Sequence, residues 1–111
     1  MDTPVTTLQK PTFAKESYAS LIEIEFKPGK KDELVTIAEE MRADLEKLDG
    51  IKQFILIDRG DNKAMALAFY SNRAQQEAAT LNAEKLQDRW EHLVAMPPVR
   101  TGCNVLVHQI F

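Results

Sequence analysis

Residues 51–70, IKQFILIDRGDNKAMALAFY, decide the fold of this chain. Two runs rich in apolar residues, 51–58 and 64–70, flank the turn-rich sequence RGDNK at 59–63. Glycine and asparagine tolerate positive φ angles, so a tight chain reversal is expected between the two runs. The stretch therefore predicts a β-hairpin.

Both faces of this hairpin are predicted to be apolar. A hairpin with one face in water alternates apolar and polar residues, and these strands do not. Each face therefore needs a cover. In the first strand, one face is predicted to carry Ile51, Ile55 and Ile57, and the other Phe54 and Leu56. In the second strand, one face is predicted to carry Met65, Leu67 and Phe69, and the other Ala64, Ala66 and Ala68.

Composition limits the classes of protein to which the chain can belong. It has 111 residues, of which 44% are hydrophobic and 28% charged, as expected for one globular domain. The net charge of −3 argues against a nucleic-acid partner, and no apolar run is long enough to cross a membrane. A lone cysteine, Cys103, suits a reducing compartment, and a cytoplasmic location is expected. Residues 1–17 are interpreted as a polar arm, and residues 18–111 as the domain.

One strand and one helix are predicted before the hairpin. Residues 18–26 alternate with period two, and Pro28 and Gly29 end this strand. Residues 30–48 are expected to form one helix that ends before Gly50. Its apolar stripe consists of Leu34, Ile37, Ala38, Met41, Leu45 and Leu48.

A second helical region and a last strand are predicted after the hairpin. Ser71 and Asn72 offer a helix cap. The apolar stripe then changes register, so two helical pieces with a bend near Asn82 are expected. Pro97 ends the helical region, and residues 103–110 form the fourth strand. The first piece presents Ala74, Ala78 and Leu81, and the second presents Leu86, Trp90 and Leu93.

The order of these elements, βαββαβ, predicts an α+β fold of the ferredoxin-like type. Its antiparallel sheet would have the strand order 4-1-3-2, with both helices on one side. The other side would remain apolar and exposed, which is unusual for a monomer. A homodimer in which two sheets face each other is therefore expected.

The chain resembles the dimeric α/β-barrel superfamily, and within it the antibiotic biosynthesis monooxygenase-like group. The resemblance covers residues 21 to about 93. It rests on the strand that runs into KPGK at 27–30, on the sequence LDGI at 48–51 followed by Phe54, and on Tyr70 at the end of the third strand. The sequence TLNAEKL at 80–86 is similar to the group's helix-bend segment.

The resemblance implies a small aromatic substrate, such as a phenol or quinol, oxygenated without a cofactor. Many members of the group carry a histidine where this chain has Thr80. The haem-degrading branch uses an asparagine near the position of Ile22, with a tryptophan and a histidine that Trp90 and His92 do not match. Haem oxygenation is therefore disfavoured, and no cofactor is expected.

The candidate site residues are a predicted pocket and two polar side chains. His108, on the predicted last strand, would face Glu23 and Glu25 across the sheet; a structural hydrogen bond is the alternative to catalysis. Tyr70 is the other catalytic candidate, with a core position as its alternative. No metal site is assigned, although Glu23 and Glu25 are neighbours. The predicted pocket consists of Ile22, Tyr70, Leu81, Leu86 and Trp90.

Three functions remain open from the sequence. The first is the oxygenase just described. The second is a dimeric barrel that binds a small hydrophobic ligand, or serves in a stress response, without turnover. The third, an amino-acid-binding regulatory domain with the same strand order, is disfavoured because only one domain is present. Fold alone does not decide between them, since function resides in sites.

Overall fold

The structure is a computed structural model, and it describes residues 17–48 and 50–111. Residues 1–16 of the predicted arm lie outside the described residues. The strands are β1 (Tyr18–Glu25), β2 (Ile51–Gly60), β3 (Lys63–Tyr70) and β4 (Val99–Asn104). The helices are α1 (Lys31–Glu40), α2 (Arg42–Glu46) and α3 (Arg73–Gln87), followed by a short 3₁₀ helix at Glu91–Leu93.

The four strands form one antiparallel sheet in the order β4-β1-β3-β2. This is the predicted order, so the ferredoxin-like α+β prediction is confirmed. The central strand β1 pairs with β3 along its whole length, from Tyr18 opposite Tyr70 to Glu25 opposite Lys63. No helix among the described residues is long and apolar enough to cross a membrane.

The hairpin forms where it was predicted, with a longer first strand. Asp61 and Asn62 occupy the turn with φ angles of 54° and 61°, a conformation that favours asparagine and aspartate among non-glycine residues. The backbone N–H of Gly60 donates to Oδ1 of Asp58 at 2.8 Å. These local bonds explain why the turn is tight.

One face assignment in the hairpin is wrong. The pairing register of β2 shifts between Ile51 and Gln53, which marks a β-bulge at Lys52. A bulge adds one residue to a strand and so reverses the sides on which the residues before it point. Ile51 therefore packs with Leu48 and Tyr70 on the helix side rather than with Ile55 and Ile57.

The predicted first helix is two helices. Its stripe faces inward as expected, with Leu34, Met41 and Leu48 buried. The helical hydrogen bonds around Met41 persist, because its N–H donates to the carbonyl of Ile37 and its carbonyl accepts from Leu45. The interruption at Met41 thus leaves the direction of the apolar face unchanged.

The second helical region differs from the prediction in phase. Helix α3 is one unbroken helix where two pieces were predicted, and Asn72 caps it by accepting from the N–H of Gln75 at 2.9 Å. Leu81 is 68% exposed, so the stripe assigned to the first piece is wrong. The inward positions are Gln76, Ala79, Ala83, Leu86 and Trp90.

The last strand begins and ends earlier than predicted. Strand β4 pairs with β1 from Val99 opposite Glu23 to Asn104 opposite Tyr18, where β1 itself begins. One further backbone bond follows this pairing, from the N–H of Val105 to the carbonyl of Ser17. The prediction of a strand at 103–110 is therefore wrong for all but its first two residues.

The helices cover one face of the sheet. Ala64, Ala66 and Ala68 of β3 are buried beneath them, together with Ile22 and Ile24 of β1. The other face, which we call the open face, carries apolar side chains that remain partly exposed. The open face carries the side chains of Leu21, Ile55, Ile57, Met65, Leu67 and Phe69, together with that of Glu23.

Candidate functional site

An apolar cleft lies between the helices and the covered face of the sheet. Its volume is about 60 Å³, room for a few water molecules or part of a small ligand. Strands, helices and the turn after α3 all contribute to its wall. The cleft is lined by Ile22, Ile24, Leu34, Ile37, Ala38, Met41, Phe54, Leu56, Ala66, Ala83, Leu86, Trp90 and Arg100.

Small side chains open this space. Ala66 on β3 and Ala83 on α3 both line the cleft, and neither carries an atom beyond Cβ. Trp90 is buried at the end of the helical region and forms a rigid part of the wall. Large and small side chains therefore alternate around a space that they do not fill.

Arg100 is the charged residue in this lining. It lies on β4 directly opposite Ile22 of β1, so the two side chains share the covered face of the sheet. Burial lowers the pKa of Arg100 from its ordinary value, and the nearby Glu84 and Tyr70 oppose that shift. An arginine nevertheless stays charged at neutral pH.

The guanidinium of Arg100 has no ion-pair partner within the described part of the chain. Every ion pair found there joins other residues, and all of these pairs are at the surface. Glu84 on α3 acts on Arg100 only through its charge, at a distance beyond the 4.0 Å of an ion pair. A half-buried cation without a carboxylate partner is suited to binding an anionic ligand group.

The structure separates the predicted pocket residues into two groups. Ile22, Leu86 and Trp90 line the cleft. Leu81 lies outside it because its side chain points to solvent. Tyr70 lies outside it as well, buried beside Leu48 and Ala79 in the neighbouring part of the core.

Tyr70 is surrounded by protein on the covered face. Burial raises the pKa of the Tyr70 hydroxyl, and the charge of Arg100 opposes the shift. A phenol with a raised pKa is a poor base at neutral pH. The position fits the core alternative that the sequence left open.

His108 lies beyond the end of β4, so the strand position predicted for it is wrong. Its ring meets the ring of Phe69 edge-on, with centroids 5.5 Å apart and planes at 75°. Phe69 belongs to the open face, and His108 is therefore on the opposite side of the sheet from the cleft. Glu23 also lies on the open face, and His92 is exposed in the 3₁₀ helix.

No group of three or more histidine, cysteine, aspartate or glutamate side chains in the described part of the chain is arranged to hold a metal ion. Glu23 and Glu25 remain two neighbouring carboxylates on one strand. The thiol of Cys103 lies 3.9 Å from the carbonyl oxygen of Thr101, a weak contact.

Sequence reasoning missed Arg100 as a site residue. The error came from placing the last strand at 103–110, which left Arg100 in a loop after the two prolines. A strand that starts at Val99 puts Arg100 opposite Ile22 and on the same face. The available signal was a single cation at an alternate position of a short strand, in an otherwise apolar neighbourhood.

Solved structures show which known proteins share this fold. The NE2512 protein of unknown function from Nitrosomonas europaea is similar with a TM-score of 0.72 and 18% identity, over 87% of this chain and 97% of that one. A "Putative antibiotic biosynthesis monooxygenase" from the same organism has a TM-score of 0.70 and 15% identity, over 86% and 95%. SnoaB, a cofactor-independent oxygenase from Streptomyces nogalater, has a TM-score of 0.69 and 10% identity, over 84% and 96%.

These similarities establish the fold. The chain has the α+β, ferredoxin-like fold of proteins named antibiotic biosynthesis monooxygenases, and the predicted resemblance to that group is confirmed at this level. No protein-family model and no curated protein sequence matches the chain.

Proposed function

We propose that this chain is a cofactor-independent monooxygenase acting on a small aromatic, a phenol or quinol. The observation that carries the proposal is the apolar cleft with Arg100 in its wall. A similar fold is found in SnoaB, which is named as a cofactor-independent oxygenase. The apolar character of the lining suits an aromatic ring, and the charge of the guanidinium suits a deprotonated hydroxyl.

Arg100 would hold the substrate as its phenolate. A guanidinium offers several N–H donors in a planar fork, and its hydrogen bonds to an anion are stronger than those between neutral groups. Such bonds gain further strength where water is excluded, as in a cleft lined by leucine and isoleucine. The phenolate is the electron-rich form of the substrate, and it reacts with dioxygen more readily than the neutral phenol.

The proposed reaction needs no external reductant. One oxygen atom of O₂ forms a bond to a ring carbon that carries hydrogen, for example the carbon para to the hydroxyl. The ring loses that hydrogen and becomes a quinone. The O–O bond breaks, and the second oxygen atom leaves as water with the ring hydrogen and one proton from the solvent, which replaces the proton lost when the phenol ionised. The substrate supplies all of the electrons.

The lining offers no obvious base for the deprotonation. Among the described residues that line the cleft there is no histidine, aspartate, glutamate, cysteine or lysine. The substrate is therefore expected to enter as the phenolate or to lose its proton to water. It follows that the pH dependence of kcat/KM should track the pKa of the substrate and move when the substrate is changed.

The proposal includes a homodimer through the open face. Leu21, Ile55 and Leu67 lie side by side in register across the middle of this face, and all are only partly covered. An apolar surface of this kind favours association, at about 25 cal/mol for each Å² removed from water. A second copy would close the two sheets into a barrel.

Oxygen consumption with a panel of phenols and quinols tests the oxygenase. We expect uptake with at least one substrate, and a fall of about tenfold or more in kcat/KM for Arg100→Gln. Arg42→Gln is the matched control, because Arg42 is exposed on α2 and lies outside the cleft. Equal activity of the Arg100 and Arg42 variants would contradict the role given to Arg100.

A non-catalytic binding protein is the second candidate. The lack of a base in the lining of the cleft favours this reading. It predicts that the same phenols bind without oxygen uptake, still more weakly to Arg100→Gln than to the parent protein. Oxygen uptake in stoichiometric proportion to quinone formation would exclude it.

A further inference from the structure

The cleft reaches the surface of the protein between two sets of helices. Ile37 and Ala38 on α1 form part of one wall, and Ala83 and Leu86 on α3 form part of the other. All four side chains are half-buried, so each wall extends from the core to the surrounding water. A ligand that enters the cleft by this route passes between α1 and α3.

One ion pair joins the two walls. The guanidinium of Arg89, in the turn after α3, donates a hydrogen bond to a carboxylate oxygen of Asp44 on α2. Within residues 17–48 and 50–111, no other ion pair or side-chain hydrogen bond connects α1 or α2 with α3 or the turn after it. The polar connection across the opening therefore depends on these two residues.

The pair lies beside residues that line the cleft. Asp44 follows Met41 by three positions, and residues three apart on a helix are neighbours on its surface. Arg89 likewise follows Leu86 by three positions, and its N–H donates to the carbonyl of Leu86 at 3.1 Å. Arg89 also directly precedes Trp90. Since Met41, Leu86 and Trp90 all line the cleft, the pair connects its two walls close to the lining.

The pair is exposed enough to open and close. Water reaches 42% of the Arg89 side chain and 37% of the Asp44 side chain. An ion pair with this exposure shifts an equilibrium between two arrangements by up to about fivefold, and dissolved salt weakens it further. Met41 and Trp90 belong to one apolar cluster, so the core still holds the two walls when the pair is broken.

We propose that Arg89 and Asp44 form a latch that controls access to the cleft. While the ion pair is formed, it holds α2 and the turn after α3 together and restricts the opening between the walls. When the pair breaks, the two elements separate and admit a ligand, as surface elements do in other proteins that gate a site. The latch concerns the cleft of the proposed function, but it does not depend on the chemistry that takes place there.

Quenching of Trp90 fluorescence by acrylamide tests the latch in the ligand-free protein. Trp90 is the one tryptophan of the chain, it is 8% exposed, and it lines the cleft. Acrylamide is uncharged, so a change of charge in the protein neither attracts nor repels it. Arg89→Glu and Asp44→Arg each turn the attraction into a repulsion, and we expect each to raise the quenching constant about twofold or more.

The double reversal, Arg89→Glu with Asp44→Arg, restores an attractive pair. It should return the quenching constant to within about 1.3-fold of the parent value. Arg42→Glu is the matched control, because it makes the same change of charge on α2 while its partner Glu46 lies on the same helix. We expect it to change the quenching constant by less than about 1.3-fold. Circular dichroism verifies that each variant is folded.

The parent protein supplies a measurement that needs no substitution. Raising sodium chloride from about 0.02 M to about 0.5 M screens the attraction between Arg89 and Asp44 and should increase the quenching of Trp90. The same change should decrease quenching in Arg89→Glu, because there the salt screens a repulsion. The opposite signs distinguish the latch from a general effect of salt on the protein or the quencher.

Three results would overturn the latch. The first is a quenching constant that stays at the parent value in both single reversals. The second is a double reversal quenched as strongly as the single ones, because the rise would then come from a local disturbance beside Trp90. The third is quenching of the parent protein that does not respond to salt. Since all of these measurements use the ligand-free protein, a failure to bind phenolates would contradict the proposed function without deciding the latch.

Discussion

The side-chain amide of Gln76 donates a hydrogen bond to the hydroxyl oxygen of Ser20 at 2.7 Å, joining α3 to β1 inside the protein. Both residues are buried. The same amide nitrogen lies 3.3 Å from Oγ1 of Thr80, whose hydroxyl donates to the carbonyl of Gln76. A polar pair in the core thus sets the rotation of α3 and with it the positions of Ala83 and Leu86 in the cleft wall.

Replacing only one partner of this hydrogen bond should lower the free energy of unfolding more than replacing both partners. Gln76→Leu leaves the Ser20 hydroxyl buried without its donor, at a cost of about 1–3 kcal/mol in the free energy of unfolding. Adding Ser20→Ala should recover part of that loss. Urea denaturation of the two single variants and the double variant measures the coupling. Strictly additive losses would show that the bond contributes nothing.

Two glycines with the same backbone conformation provide a matched test of packing. Gly29 and Gly50 have φ angles of +78° and +77°. A Cβ atom at Gly29 would meet nothing within 4 Å, whereas one at Gly50 would collide with the side chain of Gln75. Gly29→Ala should therefore cost about 1–2 kcal/mol, from backbone strain alone.

Gly50→Ala should lower the free energy of unfolding by more than Gly29→Ala, because the new Cβ atom collides with Gln75 in addition to straining the backbone. We expect at least about 1 kcal/mol beyond the Gly29 variant. Gln75→Ala in the Gly50→Ala background should reduce the difference in part, since it removes the side-chain amide of Gln75 but keeps the Cβ atom at 2.9 Å. Chemical denaturation is the measurement, and equal losses for the two glycine variants would contradict the packing around Gly50.

The two apolar stripes predicted for the second helical region can be tested with one leucine from each. Leu93 is fully buried, and Leu81 is exposed on α3. Leu93→Ala should lower the free energy of unfolding by about 2–5 kcal/mol, because it creates a cavity in the core. Leu81→Ala should change it by less than about 0.5 kcal/mol. A large loss for Leu81→Ala would restore the stripe predicted from the sequence.

Tyr70 should make the fold sensitive to alkali. Its pKa is raised by burial, so the folded state keeps a proton that the unfolded state releases above about pH 10. Stability is therefore fully present below that pH and falls as pH rises toward the raised pKa, by up to about 1.4 kcal/mol per pH unit. Tyr70→Phe should lack this part of the decline when unfolding is measured between about pH 8 and about pH 11.

The order of the elements could be predicted because each has a strong local signal. The hairpin has its turn residues, and the first helix has a stripe of apolar side chains. Together they determine the strand order, because few arrangements of βαββαβ keep connections short. The fold class and the covered face of the sheet could therefore be predicted from the pattern of apolar and turn residues alone.

Predictions failed where one residue departed from the pattern. Lys52 forms a bulge that no local signal marks, and Ile51 changed sides as a result. Gln76 is polar and yet faces inward, because Ser20 accepts its hydrogen bond from a strand 56 positions earlier. Apolar periodicity cannot detect a buried polar pair, so the exposed Ala74, Ala78 and Leu81 were taken for the inner face.

The site was harder to predict than the fold. Ile22, Leu86 and Trp90 were placed in the pocket because they are large and apolar, and they do line the cleft. Arg100 was overlooked, since its position depends on where β4 begins. The predicted strand began at residue 103, four residues after the observed start at Val99, and so left Arg100 outside the sheet.

The fluorescence of Trp90 tests the central claim most directly, since it is the one tryptophan of the chain and lies in the cleft wall. The ligands are 4-nitrophenol, above the pH at which it ionises, and its uncharged methyl ether. We predict that the phenolate quenches Trp90 with an affinity about tenfold or more above that of the ether, and that Arg100→Gln removes this preference while Arg42→Gln keeps it. Equal affinities for the two ligands in the parent protein, or a preference that survives in Arg100→Gln, would contradict an anion-binding cleft.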